Sequence, residues 1–397
     1  MGKSAVKGLF YICLIAATFV LATITIVAAF SGNVAPVDSV IMPLLGLAVP
    51  VLLIVNLITA LCWALARKRW ALVPLVAFFC NWGYLTSVFQ LHLPKDKTPA
   101  GKYLKIATYN IHNFGGEITG YSCKEIARYM QQEGVDVLCF QEFGDNSDFP
   151  TDSIRRVLSH WSHALIPSED SVKGVLPIAV FSRYPLANHR FITYQHSSNC
   201  SMMCDVVMGT DTIRLINNHL QTTSVSQKRR KWERELATDD TRREVQAAKD
   251  AADTLHENFM KRATQTYVIS HYAKTSPYPV LLCGDFNSIP SSYTYHHLRK
   301  TLKDGFCTAG NGYMYTYRYA KRMLRIDYIF HSPSLKGIEY YSPDLDLCSD
   351  HNPVIMEVEI QSSKESQKTI RAVPEIPEQP LPYHIPPFSG GYLHPIN

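Results

Sequence analysis

Three uncharged, strongly apolar runs fill residues 8–37, 39–66 and 70–94 of the 397-residue chain, interrupted only by Asp38 and by Arg67-Lys68-Arg69. Each exceeds the roughly 20 residues needed to cross a bilayer. A backbone in hydrocarbon finds no water to bond, so a run of this kind must satisfy its own amides, which a helix does. The expected structure of residues 1–94 is therefore a membrane region of three transmembrane helices, at about 9–30, 40–66 and 70–92. A cleaved signal peptide would account for Lys3 and Lys7 ahead of the first run, but that run is long and two more spans follow it.

Charge sets the orientation. Residues 1–100 carry seven Lys and Arg against Asp38 and Asp96. Lys3 and Lys7 precede the first span, the loop SGNVAPVDS has no base, and the second loop is Arg67-Lys68-Arg69. Basic loops stay on the cytoplasmic side. The N-terminus and second loop are then inside, the first loop is outside, and after three spans the rest of the chain is extracytoplasmic. Lys95, Lys97, Lys102 and Lys105 pull mildly the other way. A multi-pass protein of the inner or plasma membrane is expected, with the bilayer as its one evident partner; no protein partner can be inferred.

Beyond the spans the pattern changes. Residues 101–360 hold 29 basic and 29 acidic side chains, so the formal net charge of +5 belongs to the membrane region. That balance weakens the case for a general nucleic-acid binder, which needs a basic face against the phosphate backbone. A linker at 95–102 leads into a domain at 103–361. There KYLKIATYN, VDVLCF, PIAVFS, TIRLINN, PVLLCG, RIDYIF and PVIMEVEI read as short strands rich in β-branched and aromatic residues. Ser122-Cys123-Lys124-Glu125 has capping-box spacing and opens a helix ending near Gly134. A charged helical stretch runs from Gln227 to about Tyr272 and begins KRRKWER. The end of the chain, 362–397, is rich in Pro and Gly and reads as a disordered tail. Cys139 and Cys283 lie inside apolar strands, where a thiol packs as a small hydrophobe. The Cys200-x3-Cys204 spacing leaves a disulfide or a metal pair open.

The chemistry sits at the strand ends: Tyr109-Asn110-Ile111-His112, Gln141-Glu142, Asn218-His219-Leu220, Gly284-Asp285-Phe286-Asn287, Arg325-Ile326-Asp327-Tyr328 and Ser349-Asp350-His351. One such motif would be a turn. Six of them, each ending or following an apolar strand, describe one polar cluster. Clustered carboxylates repel unless a cation neutralises them, and hard oxygen donors suit Mg²⁺ or Mn²⁺.

In the order N…QE…NHL…GDFN…RID…SDH the chain resembles the endonuclease/exonuclease/phosphatase superfamily, which includes DNase I, exonuclease III, neutral sphingomyelinases, inositol polyphosphate phosphatases and mRNA deadenylases. The likeness covers essentially all of 103–360, and is greatest to a bacterial membrane-anchored branch. It implies an α/β fold: a four-layer α/β sandwich (DNase I-like), here preceded by three transmembrane helices, with loops of both sheets meeting at one metal site. The implied metal ligands are Glu142, Asn110 and Asp350. Asp285 would orient and deprotonate the attacking water, and Asn287 would hold that water or a phosphate oxygen. His351 would contact the phosphate with its tautomer set by Asp327, and His219 would assist. His112 is more simply a turn contact. Arg325 and Tyr317 are candidate substrate contacts. Tyr313, Tyr315, Tyr317 and Tyr319, if on a strand, would share one face, beside Arg318, Lys321 and Arg322.

The implied reaction is metal-assisted hydrolysis of a phosphodiester or phosphomonoester, with a lipid or small phosphorylated molecule ahead of nucleic acid as substrate. The alternatives are an extracytoplasmic nuclease and, from another class, a catalytically inactive membrane-tethered binding module. Complete motifs argue against the last. The start Tyr109-Asn110-Ile111-His112-Asn113 lacks the aromatic-Asn-Ile-Asn-Gly pattern of abasic-site repair enzymes.

Overall fold

A computed structural model describes residues 3–93, 97, 101–168, 174–223 and 241–360. The linker, the KRRKWER start and the Pro-rich tail fall almost wholly outside the described residues. The chain divides into two compact units: residues 1–88 together with Ile289–His297, and the rest.

In the first unit, α1 (Lys3–Ala28) and α2 (Ile41–Leu65) are two helices long and apolar enough to cross a membrane. They pair antiparallel. Trp63 donates to Thr18 at 2.9 Å and Asn56 donates to Thr25 at 2.7 Å. Small hydroxyls and amides of this kind hold helices together where lipid supplies no hydrophobic drive. The third apolar run departs from the expected single helix. It forms α3 (Leu72–Cys80) and α4 (Trp82–Val88), bent by 62° at Asn81. The Asn81 amide donates to Thr25 O and to Ala77 O, both at 3.1 Å, so the break is held by side-chain bonds to the first helix and to its own last turn. With Trp70 beside Phe19 at one end and Asn81 beside Thr25 at the other, α3 runs parallel to α1.

The second unit contains two six-stranded mixed sheets. One is ordered β13 (Leu335–Tyr341), β14 (Val354–Ile360), β2 (Lys102–Asn110), β3 (Val137–Gln141), β5 (Ile178–Ser182), β4 (His163–Leu165). The other is ordered β10 (Lys303–Asp304), β12 (Asp327–His331), β9 (Val280–Asp285), β8 (Asp211–His219), β7 (Cys200–Met208), β6 (Leu186–Thr193). A short pair joins β1 (Phe89–Gln90), which follows α4, to β11 (Gly312–Tyr313). Side chains alternate across a strand, and β2 shows the result. Leu104 and Ile106 join the core between the sheets, while Ala107 and Tyr109 face α5 (Tyr121–Gln132) and α6 (Thr151–Val157) on the outside. The buried Val268, Ile269 and Tyr272 of α7 (Thr241–Lys274) close the fourth layer, Tyr272 accepting a bond from Arg190 of β6. The four-layer α/β sandwich is thus present.

One local expectation fails, and one open question is answered. Helix α5 has no capping box: Glu117, outside the helix, accepts from Ser122 N at 2.7 Å and Ser122 Oγ at 2.5 Å, and Glu125 pairs with Arg128 instead. Cys200 and Cys204 are both free and lie four residues apart on one strand. At about 3.3 Å per residue that is roughly 13 Å, far beyond disulfide reach.

Candidate active site

Parallel pairing brings the motifs to one edge. In each sheet one pair of neighbours is parallel, β2 with β3 and β8 with β9, so their C-terminal ends coincide: Asn110 opposite Gln141, and His219 opposite Asp285. Antiparallel β12 begins at the same level, with Asp327 opposite Asp285. Beneath the edge a buried polar bridge locks the sheets together. Gln141 Nε2 donates to Asn217 Oδ1 at 2.6 Å, and Asn217 Nδ2 donates to the carbonyls of Phe140 and Ala179.

The polar groups then converge. Asn110 Nδ2 lies 3.1 Å from both Glu142 Oε1 and Asp285 Oδ2, joining the two sheets' carboxylates. His219 is completely buried, with Nε2 3.7 Å from Asp285 Oδ2 and 3.8 Å from Glu142 Oε1. Neither of its ring nitrogens has a hydrogen-bond partner among the described residues. His351 Nδ1 is 2.9 Å from Asp327 Oδ2, which leaves Nε2 facing Asp285 at 3.7 Å and Asp350 at 3.9 Å. A carboxylate on Nδ1 fixes the ring and its tautomer. Ser349 Oγ donates to Asn110 O at 2.5 Å and fastens that loop to the site. Glu142 (φ 50°) and Asn287 (φ 49°) both occupy the left-handed region, a strained conformation for such residues that recurs at functional sites. Gly284 is required, since a Cβ there would sit 1.9 Å from Asn218 O.

Charge follows from this packing. Burial pushes the Asp285 carboxyl above its ordinary value, and Asp327 adds to the rise; His351, His219 and the Asn287 amide oppose it without cancelling it. Burial also works to raise Glu142, but His219, Asn110 and His112 outweigh it and hold the group below its ordinary value. For His351 burial is overcome by Asp327, Asp285 and Asp350, which lift the imidazole to about 10.

The donor set fits a divalent cation. Asp285, Asp327 and His351 offer ligand atoms within 4.8 Å of one another, and Glu142 with Asn110 stands on the other side of Asp285. A cluster of this many carboxylates, together with an imidazole that has no hydrogen-bond partner among the described residues, suits a positive charge among the oxygens.

Of the residues expected from sequence, Asn110, Glu142, His219, Asp285, Asp327 and His351 come together. Asn287 stands beside Asp285, its side chain donating to Leu220 O at 3.0 Å. Asp350 lies at the rim near His351. Tyr317 packs its ring against His351 at 5.3 Å, although 313–319 is no continuous strand. His112 does more than shape a turn, since Nδ1 lies 3.1 Å from Glu142 Oε2. Arg325 is a correction. It is fully buried, gives two bonds to Asp304 at 2.7 and 2.6 Å, and is ringed by Phe306, Tyr328 and Tyr340, so it cannot touch substrate.

Sequence reasoning missed a second set, on α7. Asn258, Arg262 and Gln265 share one helix face at i, i+4, i+7 spacing. Gln265 accepts from Gln221 N at 2.7 Å, Asn258 from Gln221 Nε2 at 3.1 Å, and the buried Arg262 donates to Thr223 Oγ1 and to Asn287 O. One helix face therefore supports both the His219 loop and the Asp285 loop. The only sequence signal was a few polar residues at positions where α7 otherwise buries apolar ones.

Fold and site define a hydrolytic centre built at the meeting edge of two mixed sheets. Residues 107–351 match the model of the Endonuclease/Exonuclease/phosphatase family, and the chain belongs to that family, whose members hydrolyse phosphoester bonds. A second model, a domain of unknown function, matches residues 9–88. No curated protein matches. Among solved structures, an endonuclease/exonuclease/phosphatase from Bacteroides vulgatus is 15% identical with a TM-score of 0.48, covering 66% of this chain and 100% of that one. One from Beutenbergia cavernae is 17% identical with a TM-score of 0.47, covering 65% and 72%. A D. rerio TDP2 complexed with single strand DNA product is 14% identical with a TM-score of 0.45, covering 65% and 99%.

Proposed function

We propose that the chain is a membrane-anchored, Mg²⁺- or Mn²⁺-dependent phosphoesterase whose substrate is a phosphorylated lipid or small molecule, cleaved by attack of water. The observation that carries the reading is the meeting of Glu142, Asn110, Asp285, Asp327, His351 and His219 around one point. Glu142 and Asn110, with Asp350 at the rim, would hold the cation, which when bound screens phosphoryl charge and polarises the phosphorus. Asp285 orients the water and takes its proton; its raised affinity for a proton makes it the stronger base. Asn287 steadies the water or a phosphate oxygen. His351, kept protonated by Asp327, offers Nε2–H to the charge that grows on the phosphoryl oxygens. His219, its Nε2 3.7 Å from Asp285 and 3.8 Å from Glu142, assists beside them.

Rim electrostatics support a lipid or small molecule over nucleic acid. Arg318 is taken up by Asp344 and Asp346, and Arg322 by Asp344, so the bases beside Tyr317 are largely neutralised within the protein. An extracytoplasmic placement also finds support. The loop SGNVAPVDS at one end of the α1–α2 hairpin carries no base, whereas the loop at the other end of α2 is Arg67-Lys68-Arg69. With the basic loop inside, the bent α3–α4 pair then crosses and delivers the domain outside.

The test is turnover by the full-length protein in lipid nanodiscs, with Mg²⁺ and with EDTA, and with Asp285→Ala as control. The panel contains single- and double-stranded DNA, RNA, sphingomyelin, phosphatidylinositol phosphates and an aryl phosphodiester. Metal-dependent turnover abolished by Asp285→Ala is expected. Preference for DNA or RNA would replace the lipid reading with the nuclease one, and absence of both turnover and Mg²⁺ binding would leave a tethered binding module.

A further inference from the structure

The segment Ile289–His297 does not cluster with the domain whose catalytic loop it continues; it belongs to the compact unit of the membrane helices. Its bonds are specific. Ser31 Oγ donates to Ser291 O at 3.0 Å, Ser291 Oγ donates to Gly46 O at 2.7 Å, and His296 Nδ1 lies 3.3 Å from Asn33 Oδ1. Glycine makes the approach possible. A Cβ on Gly46 would meet Ser31 Oγ at 2.8 Å and Ser291 O at 3.1 Å, and one on Gly32 would meet the His296 ring at 2.4 Å. Loops between spans normally lie in water, yet Ser31, Gly32, Ala35 and Pro36 of this one are buried.

We infer that the outer end of the membrane hairpin is a positioning element of the active site and not a tether alone. The loop after Asp285 is pinned in succession. Arg262 bonds Asn287 O, Tyr328 Oη donates to Ser288 O at 2.7 Å, and three residues later Ser31 and Gly46 hold Ser291. The first two anchors are internal to the catalytic domain, and the third is supplied by the spans. Asn287 holds a left-handed backbone conformation, which persists only where its surroundings fix it. Loosening the third anchor frees the loop that carries Asp285 and Asn287, so activity depends on how the hairpin is packed in the bilayer. Ser31, Gly46 and Ser291 are positioning residues, since none touches the reacting atoms.

This inference rests on the hydrolase reading, and its test separates the two. Full-length protein in nanodiscs is assayed on a soluble aryl phosphodiester with Mg²⁺, comparing wild type, Gly46→Val, Ser291→Ala and Ser31→Ala with Gly8→Val, a span change with open space around it. Because misplacement of a catalytic group by about 1 Å costs on the order of a hundredfold, Gly46→Val should lose about ten- to a hundredfold in kcat with KM unchanged. Ser291→Ala and Ser31→Ala, each removing one of the two bonds, should lose less, and Gly8→Val should match wild type. Hydrogen exchange of peptides covering 285–297 is measured in parallel and should rise in Gly46→Val and Ser291→Ala, while exchange in β2 and β14 stays slow. Wild-type kcat and unchanged exchange at 285–297 in both variants would overturn the inference. A wild type that turns nothing over would refute the hydrolase reading, and exchange would still decide whether the hairpin orders the loop.

Discussion

Replacing Asp304 with Ala isolates the guanidinium of Arg325 in the interior. Both side chains are wholly buried, and two bonds of 2.7 and 2.6 Å tie them. The cation lies 4.5 Å from the Tyr328 ring centroid and 4.9 Å from that of Phe306, with Tyr340 Oη accepting a further bond at 3.2 Å. The rings and that hydroxyl soften the loss of the carboxylate without replacing its charge. Removing one partner of a buried ion pair costs about 3–5 kcal/mol, because the other charge stays buried and uncompensated. At roughly 2–4 °C per kcal/mol for a domain of this size, Asp304→Ala should lower the melting temperature by about 6–20 °C. Asp304 also caps α8 (Gly305–Ala309), accepting from Phe306 N at 3.0 Å, and loss of that cap adds about 1 kcal/mol. Thermal unfolding followed by tryptophan fluorescence in nanodiscs measures the shift, and turnover at 20 °C measures the site. Arg325→Lys, which keeps the charge but not the paired geometry, should also lower the melting temperature while leaving KM unchanged. A shift under about 2 °C in Asp304→Ala, with a raised KM in Arg325→Lys, would refute this reasoning and return Arg325 to the substrate.

Four further outcomes are expected. Asp327→Asn keeps a group beside His351 but removes the negative charge, and should lower kcat by about 10²–10⁴-fold with little change in melting temperature; stopped assays and unfolding scans check the two together. Saturating Mg²⁺ at about 100 times its Kd should stabilise the protein by about 2.7 kcal/mol, and Glu142→Gln should abolish that shift in calorimetry along with turnover. Asn56→Leu breaks the 2.7 Å bond to Thr25 and should destabilise the helix pair by about 0.6–1.7 kcal/mol, read by unfolding in mixed micelles. Arg262→Met should lower kcat more than it raises KM, since Arg262 bonds the backbone carbonyl of Asn287; a pure KM effect would place it at the substrate instead.

What the sequence revealed, and what it hid, divides along a physical line. The strand-end motifs were legible because parallel pairing in a mixed sheet aligns C-terminal ends. Polar residues closing apolar strands therefore had to share an edge, and Asn110, Glu142, His219, Asp285, Asp327 and His351 do. Arg325 was misread because a base two residues before Asp327 looks the same in sequence whether it faces solvent or Asp304. Only the alternation of β12, which sends Asp327 to the site, and the ring cage around the guanidinium distinguish the two. Arg262 and Gln265 were hidden inside a helix that reads as charged and solvated, because a buried arginine is recognised by its acceptors, here the Asn287 carbonyl and Thr223. The break at Asn81 has no Pro beside it to announce it, Pro74 lying within the straight part of the run; the bend is held by the Asn81 amide at Thr25, a tertiary bond. Least legible was the pairing of Ser31 and Gly46 with Ser291, about 245 to 260 residues apart in the chain. Small residues at a helix end read as permissive, and their purpose appears only when another backbone occupies the space they leave. In this chain the polar residues at the strand ends announce themselves locally, whereas the contacts around them are set by partners distant in sequence. The bonds of Ser31 and Gly46 to Ser291 belong with the second group.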